Sequence, residues 1–150
     1  MTEILFYHLQ GQKLEGVLPA LLEKSLERGW KVVVQGSSEE RIEALDAYLW
    51  TYRDDGFLPH GTWREPEAAQ QPVLFTLTEG NPNGATVRFL IDGAPMPVDP
   101  ESYQRIVLLF DGDDDEAVTA ARAHWSAVKD KGLEATYWQA DEQGRWAKKT

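Results

Sequence analysis

No cysteine occurs among the 150 residues, and there are only three histidines and two methionines. The missing cysteine excludes a disulfide framework, a thiolate zinc site and a cysteine nucleophile. The histidines, at positions 8, 60 and 124, have no spacing that would pair two of them on a metal. No apolar run approaches the ~20 residues of a membrane span. The opening MTEILFYHLQ has neither a basic region nor a long apolar stretch, so no signal peptide is expected and the expected location is cytoplasmic. Basic side chains are outnumbered 15 to 25, for a formal charge of −10. That balance argues against broad binding to a phosphate backbone, which needs a basic face.

Phosphate-binding glycines are also missing. The first strand–helix junction, His8 to Lys13, holds only Gly11 where a dinucleotide fingerprint needs three glycines, and no G-x-x-x-x-G-K-[ST] occurs. No serine sits in a G-x-S-x-G turn, which excludes an α/β-hydrolase elbow. The sequence therefore implies no cofactor and no visible catalytic apparatus.

What is present reads as alternating strands and helices. At 42% hydrophobic and 27% charged, the chain lies in the globular range. Glu3–Tyr7 is rich in strand formers. Apolar residues at 14, 17, 18, 21, 22 and 26 predict a helix that Gly29 stops. Lys31–Gln35 carries three consecutive valines, the mark of a strand buried on both faces. Ser37 and Ser38, followed by Glu39 and Glu40, open a second helix that runs to about Trp50.

Residues 51–72 lose all periodicity and are expected to form a long ordered loop. Val73–Leu77 and Val87–Ile91 read as strands joined through the turn-rich Asn81–Gly84, and Arg105–Phe110 is the strongest buried-strand signal. A helix to about Lys131, closed by Gly132, and a strand at Glu134–Gln139 complete the pattern. The order implies one α/β domain over residues 1–150, its sheet largely parallel with helices on both faces.

Two chemical readings compete. Asp92 and Asp111 each follow a strand, and paired acids at strand ends can hold Mg²⁺ in a small nucleotide- or Mg²⁺-dependent enzyme. The plainer reading is that Asp113, Asp114, Asp115 and Glu116 cap a helix. Asp111 onward also fails as an EF-hand loop, with Glu116 for the sixth-position glycine and Arg122 for the twelfth-position glutamate.

The second reading is docking. From Arg122 onward six basic residues face four acidic ones, a charge of +2 that leaves −12 for the first 121 residues. On the last helix Ala117, Ala121, Trp125 and Val128 form one stripe, and Arg122 and Lys129, seven apart, flank Trp125. Cations beside an aromatic suit a short acidic peptide with a hydrophobic end; a core Trp with solvated cations is the alternative. A second aromatic cluster, Trp50 with Phe57-Leu58-Pro59-His60, either plugs the domain's edge or forms a docking patch.

FYHL near the start, LW followed by FLPH at 49–60, and YW-x-Q with G-x-W at 137–146 resemble the chi subunit family of bacterial DNA polymerase III. LW-x6-F-[LV]-P-H is the specific part, and the order of segments matches from end to end. The resemblance implies a three-layer Rossmann-like, noncatalytic adaptor of the clamp-loader assembly. It implies a grip on the acidic C-terminal tail of single-stranded-DNA-binding protein, so that DNA contact is indirect. Arg122 then matches a basic position of the tail pocket and Trp125 an aromatic one. Val118 and Ser126 stand where well-known members have lysine, with Lys129 one turn beyond Trp125. A second surface, for the psi subunit or a helicase, would include Trp50 and Phe57, with Pro59 and His60 presenting Phe57.

Overall fold

The computed structural model describes residues 2–51, 58–140 and 145–149. Among them are eight strands and three helices, in the order β1 (Glu3–Leu9), α1 (Leu14–Glu27), β2 (Val32–Gln35), α2 (Glu39–Thr51), β3 (Gly61–Thr62), β4 (Val73–Thr76), β5 (Val87–Leu90), β6 (Arg105–Asp111), α3 (Asp115–Asp130), β7 (Glu134–Ala140) and β8 (Trp146–Lys148). The strands form one sheet in the order β3-β4-β2-β5-β6-β1-β7-β8. Every neighbouring pair is parallel except β7–β8. The fold is α/β, with a mostly parallel sheet, as the strand–helix alternation predicts.

Local chemistry explains the boundaries. Gly29 takes φ +80°, and the N–H of Trp30 donates to the Ser25 carbonyl at 3.1 Å, closing the end of α1 with a left-handed residue. Gly132 does the same for α3, with Leu133 N–H donating to Val128 O at 3.1 Å. At the start of α3, the Asp114 carboxylate accepts from Glu116 N–H at 3.0 Å and from Ala117 N–H at 3.4 Å. Asp114 is therefore a helix cap, and capping supports α3 by about 1 kcal/mol.

Side-chain alternation divides the core in two. Leu14, Leu18 and Leu22 of α1 and Ile42, Leu45 and Leu49 of α2 join Val32, Val34, Phe75, Phe89 and Val107 in one cluster. Ala121 and Val128 of α3 join Ile4, Phe6, Val33, Ile106 and Leu108 in the other.

One stretch expected as loop holds a strand. The region 51–72 is not all loop, because Gly61–Thr62 pairs with Leu74 and Phe75 as an edge strand. Two residues are too few to show a period. The strands expected at Val73–Leu77 and Val87–Ile91 are present as β4 and β5, and β2 lies between them, paired in parallel with both. The crossover has no helix. Instead Asn83 donates through Nδ2 to Val32 O at 3.1 Å and Gln71 O at 3.0 Å, and Asn81 bonds both backbone groups of Ala85.

Arg88 holds the rest of this crossover. Its side chain is fully buried in β5, and all five guanidinium N–H groups have acceptors. Nε and Nη2 donate to Gln35 Oε1 at 3.2 and 2.5 Å, Nη2 to Thr78 O at 2.6 Å, and Nη1 to Gly80 O and the Tyr103 hydroxyl at 3.0 Å each. A buried cation is tolerable only with such complete satisfaction.

Candidate functional site

Helix α3 lies on the sheet through Ala121 and Val128, and Trp125 falls between them, four residues from one and three from the other. Trp125 is half-buried. Its ring meets Phe6 edge-on at 5.3 Å and Tyr137 at 6.2 Å and 81°. Lys129 places Nζ 5.6 Å from the centre of the same ring, a cation–π distance. Arg122 and Lys129 are exposed, and Val118 is half-buried. Trp125 is thus both a wall of the core and the floor of a cationic ledge, so the core and docking alternatives are not exclusive.

Parallel pairing of β1 with β7 brings Tyr137 beside Phe6 and next to His8. The Tyr137 phenol is hydrogen-bonded to His8 Nδ1. Burial raises the phenol's pKa, and the Arg122 guanidinium nearby lowers it in part. Burial likewise holds His8 below the ordinary imidazole value, against the opposing pull of Asp113 and Asp111. A neutral imidazole accepting from a neutral phenol fits both shifts. Gly112 is required here: a Cβ would run into the His8 ring and the Leu9 carbonyl. Neither Tyr137 nor His8 was singled out beside Trp125 by sequence, because their neighbourhood depends on strand order.

The second aromatic cluster is built differently. Trp50, near the end of α2, is 54% exposed, its ring 4.6 Å from that of His60. His60 is buried. Its Nδ1 lies 2.6 Å from Leu58 O, and its Nε2 lies 3.1 Å from Asp46 O and 3.2 Å from Asp46 Oδ1. His60 thereby ties the segment before β3 to α2 and supports Trp50 from below, rather than standing on the surface. Pro59 is half-buried, and Phe57 lies outside the described residues.

Asp92 and Asp111 do share a crevice, of about 810 Å³, at the C-terminal ends of β5 and β6. Asp92 has φ +51°, and its Oδ2 accepts from Arg41 Nε at 3.0 Å, while Arg41 also pairs with Glu15. Asp111 Oδ1 accepts from Asp113 N–H at 2.9 Å, an Asx turn. Among the described residues no three His, Cys, Asp or Glu side chains are grouped to hold a metal ion. His124, on the helical wall of the crevice, is held below its ordinary pKa by burial. No helix among the described residues is long and apolar enough to cross a membrane.

Fold and side-chain placement together define an α/β protein with a largely parallel sheet, in which Trp125 and Trp50 belong to two separate aromatic clusters. The chain belongs to the DNA polymerase III chi subunit family: the profile described as "DNA polymerase III chi subunit, HolC" matches residues 1–136. It is also similar to a protein of Rickettsia prowazekii (strain Madrid E) named "Probable DNA polymerase III subunit chi", with 32% identity over 91 residues. That similarity covers 61% of this chain and 55% of the relative, so it spans about half of the relative's length.

Proposed function

We propose that this chain is a noncatalytic accessory subunit of the DNA polymerase III clamp-loader assembly, acting as one cytoplasmic, three-layer Rossmann-like domain. Arg122, Trp125 and Lys129 receive the acidic C-terminal tail of single-stranded-DNA-binding protein, so contact with DNA is indirect. Trp50, with Phe57, Pro59 and His60, forms the face for a psi subunit or a helicase. Family membership supports the assembly, and the division of α1 and α2 from α3 between two cores supports the layering.

The observation that carries the tail site is the ledge on α3. A half-buried Trp with a lysine over its ring and an arginine one turn away offers an apolar wall and two cations to one short peptide. A chain of net charge −10 otherwise repels such a ligand. Calorimetry with a peptide of several acidic residues ending in a phenylalanine carboxylate tests this. Binding should weaken with salt, and Arg122→Ala should weaken it by about tenfold. Unchanged affinity in Arg122→Ala would sink the assignment.

A further inference from the structure

The opposite face of the sheet carries a second concentration of positive charge. Between the C-terminal part of α1 and strands β1, β6, β7 and β8 lies a groove of about 570 Å³. Five cations line it: Lys24, Arg28, Arg105, Arg145 and Lys148. They are a third of the chain's fifteen, and among the described residues the acids lining it are Glu3 and Glu134. Three of the six tryptophans, Trp30, Trp138 and Trp146, line it together with Tyr7.

The aromatics are ordered against one another. Tyr7 stacks on Trp138 at 6.2 Å and 18° and meets Trp146 edge-on at 4.9 Å. The guanidinium carbons of Arg28 and Arg105 lie 5.1 and 5.0 Å from the Trp30 ring. Arg105 also donates to Glu3 Oε1 at 2.7 Å, which orients it along the wall. Beneath lie Leu5, Leu21, Phe89 and Val107, an apolar floor. Tyr7 and Phe6 are consecutive on β1 and so point to opposite faces, which makes this groove separate from the Trp125 ledge.

We infer that this groove docks an acidic segment of a partner protein that carries one bulky apolar side chain. Carboxylates pair with the cations of the rim, and the apolar side chain enters among the aromatics. A cavity of this size suits one anchor and its neighbours. A single-stranded nucleic acid fits less well. It gains affinity by neutralising many phosphates along a strand, whereas Glu3, Glu134 and the overall charge of −10 oppose a long polyanion.

The test uses a fluorescein-labelled acidic peptide with one internal phenylalanine and an amidated C-terminus, followed by anisotropy with the full chain. Arg28→Glu and Lys148→Glu, both at exposed positions, should each weaken binding by about tenfold. Arg122→Ala should change it less than about twofold, which separates this groove from the proposed tail site. Circular dichroism checks that each variant is folded, and Lys148→Glu on the edge strand serves if Arg28→Glu is not. No binding by the unaltered chain, binding by both variants as tight as by the unaltered chain, or loss only in Arg122→Ala would overturn the inference. So would tighter binding of oligothymidylate that Arg28→Glu abolishes, since the groove would then belong to nucleic acid.

Discussion

The face of the sheet that carries α3 is closed in two ways. Over β1, β6 and β7 it is closed by a helix, through Ala121, Trp125 and Val128. Over β2 and β5 it is closed by a crossover without a helix, held by Arg88, Asn81 and Asn83. The helical cover satisfies its own backbone internally, so its attachment is apolar and graded. The loop cannot, and its carbonyls at 78 and 80 depend on one guanidinium. Burial of apolar area tolerates partial loss, whereas a buried polar network fails as a unit.

That contrast is easiest to break at Arg88. Replacing it with Met leaves the buried Gln35 Oε1 without its donors and removes the anchor of the carbonyls at 78 and 80, which belong to exposed residues. Arg88→Met should cost about 3 kcal/mol, read from urea denaturation. A loss below about 1 kcal/mol would mean that the loop is held by something else. Trp125→Ala removes a half-buried side chain under the helical cover and should cost about 2 kcal/mol, below the range for a fully buried Trp. If it matched the Arg88 variant, the distinction between the two closures would disappear.

The smallest expected effect is one of pH. His8 and His124 both titrate below the ordinary imidazole value of 6.5 in the folded chain, chiefly through burial. The unfolded chain therefore binds more protons as acidity increases. Stability from these groups is present above 6.5 and lost as pH falls from there through their lower folded values. The thermal midpoint should decline through that window, and His8→Gln with His124→Gln should flatten the slope. An unchanged slope would place the acid sensitivity elsewhere.

Much of this architecture was legible before any coordinates. The valine run of β2, the leucine stripe of α1 and the glycines at 29 and 132 act through backbone geometry and burial within a few residues, so their effects can be read locally. The acids at 113–116 were legible as helix-capping chemistry for the same reason. The pairing of β2 with both β4 and β5 was not, because a short polar connection between two strands reads alike whether or not another strand lies between. Arg88 gave no signal inside Val87–Leu90, where a charged residue on a strand ordinarily means a solvated face. At the ledge, Arg122, Trp125 and Lys129 were legible from helical spacing. Tyr137 and His8 were not, since β1 and β7 are neighbours only through sheet order.

The sequence by itself determined the kinds of element, their ends, the absence of thiol chemistry and a mean charge that disfavours phosphate polymers. It also determined that the cations near Trp125 share one side of a helix, because 3.6 residues per turn is a local rule. Only the tertiary structure decided which aromatics are walls and which are surface, and that Arg28, Arg105 and Lys148 meet in one groove. Electrostatic attraction depends on distance in space, and a parallel sheet brings together residues a hundred positions apart.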